Sequence, residues 1–104
     1  MAKAIKLLGQ ATAAQIEEWK NKYGEIYELG TKEKVCYLKK PGRKELSMAT
    51  MTSGEDPYKW NEAILESCWL GGDEEIKTND DLFLAISRQL TELVRVQDSY
   101  IKKL

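Results

Sequence analysis

Over the last quarter of the chain, Phe83, Ile86, Leu90, Leu93, Val94, Gln97, Ile101 and Leu104 recur at the spacing of one helix face. A stripe of this kind is stable only when other elements offer an apolar surface to cover it. The spacing predicts a helix from Asn79 to Lys103, which at about 1.5 Å per residue spans roughly 37 Å. That exceeds what a small domain needs, so its far end is expected to project or to meet a partner. Thr78-x-x-Asp81 marks the start as a capping box. Asp80 and Asp81 complement the positive end of the helix dipole, and Lys102 and Lys103 the negative end.

The partners for that stripe are found upstream. A first helix is predicted over Ala13–Tyr23, capped by Thr12 with Gln15 as the reciprocal residue. Ile16, Trp19 and Tyr23 share one face, and Gly24 ends the helix. Glu25–Leu29 and Lys34–Leu38 are rich in β-branched and aromatic residues and flank a Gly30–Glu33 turn, which predicts a hairpin. Pairing Leu29 with Val35 sets Tyr27 against Tyr37 and Glu25 against Lys39, all favourable cross-strand pairs. Beyond Pro41-Gly42 a weaker helix spans Arg43–Thr52, its apolar content being Leu46, Met48, Ala49 and Met51. The next helix begins with Asp56 as cap and Pro57 in the first turn, where a missing N–H costs nothing. Its Trp60, Ile64 and Cys68 form one row, Leu65 and Trp69 lie beside it, and Gly71-Gly72 stops it.

These elements make one α+β domain over residues 1–104, of order α-β-β-α-α-α. A two-stranded antiparallel hairpin packs on about four helices. Trp19, Trp60, Ile64, Phe83, Ile86 and Leu90 are expected to supply much of the core, with Met48 and Met51 filling it, although Met-rich faces also serve promiscuous binding. Residues 1–11 stand apart as a flexible or partner-binding segment.

Of the 104 residues, 16 are basic and 17 acidic, a net charge of −1. Nucleic-acid binding leaves a basic footprint because phosphate contacts dominate affinity, and the composition has none; the short basic spot Lys39–Lys40 with Arg43–Lys44, beside a Pro-Gly turn, reads first as solvated surface. No apolar run reaches the roughly 20 residues that span a bilayer. Lys3 and Lys6 interrupt the short apolar start, which is not the pattern of a secretory leader. A cytoplasmic location is expected, with Cys36 and Cys68 as reduced core thiols.

The chain has no histidine. That removes Ser-His-Asp and Cys-His arrangements, and with them the commonest proton carrier and metal ligand. Ser47, Ser53, Ser67, Ser87 and Ser99 have no base at an identifiable spacing. Glu62 and Glu66 have no feature of a glycosidase pair beyond being glutamates. Neither nucleotide-binding glycine pattern is present. The carboxylates of Asp73, Glu74, Glu75, Asp80 and Asp81 are the one cluster suited to calcium or magnesium, but they lack the alternation of a calcium loop, and capping and solvation account for them. No cofactor is implied. Trp69 and Leu70, at a helix end beside two glycines, are candidates for a protein-binding anchor. Val94, Ile101 and Leu104 join them as the exposed end of the last helix.

The string Asn61–Ile76, followed by Asp81-Leu-Phe-Leu-Ala-Ile86, Leu90 and Leu93-Val94, resembles small phage and prophage proteins, tail assembly chaperones among them. The resemblance covers roughly Thr12–Val96. It rests on a Trp–Gly–Asp segment followed by an aspartate with a phenylalanine or leucine three residues on. It implies a non-enzymatic role: coating a long tape-measure protein, recruiting tail-tube subunits, and self-association. The leading expectation is therefore a binding or assembly protein with a protein partner and homo-oligomer formation. A small regulatory adaptor or inhibitor of one host protein is the first alternative, and a metal-assisted hydrolase on residues 73–81 the second.

Overall fold

The computed structural model describes residues 8–93 and 100–104. Its elements run α1 (Ala13–Tyr23), β1 (Ile26–Gly30), β2 (Val35–Lys39), α2 (Arg43–Ser53), α3 (Pro57–Cys68), β3 (Trp69–Gly72), α4 (Glu75–Thr78) and α5 (Asp80–Leu93). The α+β class stands, but the sheet has three strands where the sequence predicts two. β2 lies in the centre with β1 and β3 antiparallel on either side.

The third strand is the segment expected to finish α3. The helix ends at Cys68, and Trp69 turns directly to extended backbone. Gly71 and Gly72 do not stop a helix; they let the new strand approach its neighbours. A Cβ on Gly72 would lie 2.5 Å from Cys36 Cα, and one on Gly71 would lie 3.1 Å from the Trp19 ring. Gly72 also has φ +134°, a conformation that only glycine adopts freely.

The hairpin register differs from the expected one by a single residue. Gly30 pairs with Val35, Leu29 with Cys36, Glu28 with Tyr37 and Ile26 with Lys39. Thr31 and Lys34 decide it. Thr31 N–H donates to the Lys34 carbonyl at 2.8 Å, and Lys34 N–H donates to Thr31 Oγ1 at 3.3 Å. This extra rung moves every pair along by one, and Glu25 bonds Lys40 at 3.3 Å in place of Lys39.

β2 is buried on both faces. Cys36 and Leu38 join the main core with Leu29, Ala49, Ile64, Leu65, Cys68, Ile76, Phe83, Ile86, Leu90 and Leu93. Fully burying each large aliphatic side chain stabilises the fold by about 1.5–3 kcal/mol. Tyr37 alternates to the other face, where the Trp19 ring lies 5.4 Å away. Trp19 thus packs across the sheet from the main core, and Trp60 is only partly buried at its margin.

Residues 8–11 are tied down. Val35 N–H donates to the Leu8 carbonyl at 2.9 Å, and Leu8 N–H to the Glu33 carbonyl at 2.8 Å. Ala11 N–H donates to the Tyr37 hydroxyl at 3.2 Å, and that hydroxyl donates to Glu28 at 2.8 Å. Residues 1–7 of the expected free segment lie outside the described residues.

Helix caps follow the sequence with one displacement. Thr12 accepts from Gln15 N–H at 3.1 Å, and Asp56 from Tyr58 N–H at 2.9 Å. At the last helix the cap is Asn79, which accepts from Leu82 N–H at 3.1 Å. Thr78, the expected cap, instead closes the single turn of α4, which Asp73 initiates by accepting from Glu75 N–H at 2.9 Å. The described part of α5 ends at Leu93, and Tyr100–Leu104 has no helix. The predicted helix to Lys103 is therefore too long. Residues 94–99 lie outside the described residues.

Candidate functional site

Helix α2 carries the largest departure from the expected burial. Its inward face is Ala49 and Ser53, with Leu46 partly buried beside them. Met48 is 56% exposed and Met51 81% exposed, so neither fills the core. The reason is angular. At about 100° per residue, Lys44, Met48 and Met51 follow one another at i, i+4 and i+7 down a strip turned away from Ala49. Two unpaired thioether side chains on one strip make an adaptable apolar contact surface.

Beside that strip runs a groove of about 380 Å³ between α2 and α3. Met48, Ala49 and Thr52 line it from α2, Ala63 and Ser67 from α3. The small residues on the α3 side leave room for another element's side chains. α2 and α3 are held together by Trp60, whose indole N–H donates to Thr50 Oγ1 at 3.4 Å, while Thr50 donates to the Leu46 carbonyl at 2.9 Å.

One end of the groove is charged. Lys39 Nζ lies 3.1 Å from Glu45 and 5.8 Å from the Tyr23 ring centre. The hydrogen bond from Lys39 holds the Glu45 carboxyl below the usual carboxylate range, and the same bond raises Lys39. The pair is built to stay ionised rather than to move a proton.

The first half of the acidic segment, Asp73–Glu75, is already engaged. Lys34 Nζ lies 2.7 Å from Glu75 and 3.9 Å from Asp73, and Lys77 lies 3.2 Å from Glu74 and 3.7 Å from Glu66. Among the described residues no group of three His, Cys, Asp or Glu side chains is placed to hold a metal. Burial pushes the Cys36 thiol up to about 12 and raises Cys68 as well. Both stay protonated at neutral pH, which removes the thiolate that cysteine nucleophiles need.

The expected anchor residues separate. Trp69 and Leu70 lie in β3, both partly buried, with Trp69 packed against the core and Lys77 Nζ 4.3 Å above its ring. Ile101 and Leu104 are fully exposed in the non-helical segment, and Val94 lies outside the described residues. The structure does not bring the four described residues together. For Met48 and Met51 the sequence favours core filling over a Met-rich contact face, and their exposure reverses that order. The signal for the contact face was the i, i+4, i+7 spacing with Lys44, out of phase with Ala49 and Ser53.

Among the described residues no helix is long and apolar enough to cross a membrane. Comparisons with protein-family models, with curated proteins and with solved structures find no match to this chain.

Proposed function

We propose that this chain is a non-enzymatic binding and assembly protein that takes a partner helix along α2 and α3. One observation carries the reading: Met48 stands exposed on the wall of a groove lined by Ala49, Ala63 and Ser67, and the exposed Met51 follows it three residues on along α2. An amphipathic helix sets its apolar face into a groove of this kind, and methionine lets the wall adjust to it. The lack of histidine and the two protonated thiols support contact work over turnover.

Within that class, the phage or prophage role fits best, with the long helical tape-measure protein as partner in the cytoplasm. The support is the resemblance over Thr12–Val96 and a groove suited to a helix. Co-expression with a tape-measure protein encoded alongside tests it. The full chain is expected to co-purify with that helix, and Met48→Lys with Met51→Lys to abolish capture while leaving the melting temperature within a degree or two. Recovery of an enzyme or transcription protein instead favours the regulatory adaptor. Undiminished capture by the double variant removes the groove from the reading.

A further inference from the structure

We infer that the segment Tyr100–Leu104 of one copy docks into an acidic trough between α3 and α5 of a second copy. The trough is formed by Tyr58 and Glu62 of α3 with Asp80, Phe83 and Leu84 of α5. Its floor is apolar: Phe83 is nearly buried, while Tyr58 is 57% and Leu84 48% exposed. Its rim is anionic, and neither Glu62 nor Asp80 is in an ion pair with a described residue. The adjoining hollow shares Glu62 and Phe83 and adds Glu66 and Glu74, whose cation is Lys77.

The segment Tyr100-Ile-Lys-Lys-Leu104 has the complementary composition. Tyr100, Ile101 and Leu104 are 90%, 99% and 107% exposed, so they bury almost nothing against the described residues of their own chain. Lys102 and Lys103 sit between the apolar residues, where they meet a carboxylate rim as the flanking side chains enter the floor. A basic segment is steered to this anionic face and away from the exposed Arg43 and Lys44. Two exchanged segments bury less than the ~1,200 Å² of a stable interface, so the dimer is weak and forms with rising concentration.

The inference rests on the reading of the chain as a contact protein, but its test is separate, because it uses the chain alone. Sedimentation equilibrium of the full chain, from micromolar to millimolar, is expected to show a monomer–dimer equilibrium that salt weakens. Ile101→Asp with Leu104→Asp, both at fully exposed positions, is expected to raise the dissociation constant at least tenfold. Leu84→Asp is expected to do the same from the receptor side. Glu62→Lys and Lys102→Glu each weaken the dimer, and combining them restores part of the loss. A monomer at every concentration, including one whose segment lies in its own trough, overturns the inference. So does a dimer indifferent to either the segment or the trough substitutions. Loss of helix capture with the dimer intact counts against the assembly reading alone.

Discussion

Gly72 lies flat against Cys36, so close that a Cβ at Gly72 would fall 2.5 Å from the Cys36 Cα and 2.6 Å from the Val35 carbonyl oxygen. Both obstacles are backbone of the central strand and cannot swing aside. Gly72→Ala is expected to destabilise the protein by about 3 kcal/mol or more, through displaced strands and a strained positive φ. Gly71→Ala presses on the edge of the Trp19 ring, which can tilt, so its cost should be smaller. Urea denaturation of the two variants ranks them, and equal costs would contradict the packing described.

The Tyr37 hydroxyl joins Ala11 N–H to the Glu28 carboxylate. Tyr37→Phe leaves that N–H without its partner and is expected to cost about 1–2 kcal/mol. Amide exchange at Ala11 should quicken more than exchange in α5, which separates local release from global loss.

The last helix should depend on Asn79 and not on Thr78. Asn79→Ala removes the acceptor for Leu82 N–H and is expected to cost about 1 kcal/mol. Thr78→Ala should stay within about 0.5 kcal/mol, as exposed substitutions usually do. The reverse order in thermal melts would restore the capping box to Thr78.

Stability should fall on both sides of a broad plateau. Cys36 ionises from its ordinary 9.0 in the unfolded chain but only near 12 in the fold. Its contribution is complete below pH 9 and is lost as pH rises toward 12, with a slope of up to about 1.4 kcal/mol per pH unit. Cys68, Tyr37, Lys34 and Lys39 are raised too and act in the same direction. Glu45 is lowered, so its share is present above the ordinary 4.5 and is lost as pH falls through its folded value. Urea midpoints measured across pH check both limbs, and Cys36→Ala should flatten the alkaline one.

Millimolar calcium or magnesium is expected to leave the melting temperature unchanged, since Lys34 and Lys77 already pair with Asp73, Glu74 and Glu75, and no three carboxylates of the described residues converge on one point. A clear rise with either ion, by mass action, would revive the hydrolase alternative.

Much of this architecture was legible in the residues. α1, with its Thr12 cap, and α3, with Asp56 and Pro57, announce themselves through local hydrogen bonding. Ile64, Phe83, Ile86 and Leu90 follow from periodicity. What escaped depends on tertiary contact. Trp69-Leu-Gly-Gly72 lacks β-branched residues and ends in glycines, so it reads as a helix terminus; only the open edge of β2 makes it a strand. The hairpin register turned on Thr31, whose hydroxyl adds a rung that pairwise side-chain preferences do not reveal. Hydrophobicity favours Met48 and Met51 as core over a contact face, although Ala49 and Ser53 set the face that packs. The α3–α5 trough joins side chains far apart in sequence, and no local pattern marks it.

The position of β3 also orders the folding of the chain. The β1–β2 hairpin closes locally at Thr31 and Lys34, whereas the rung from Cys36 to Gly72 joins residues distant in sequence and is expected to close later. Late, non-local closure of this kind slows a small domain. Substitutions at Leu29 are therefore expected to alter the folding rate, whereas those at Gly72 should act mainly on unfolding, a contrast that φ-value analysis reads directly.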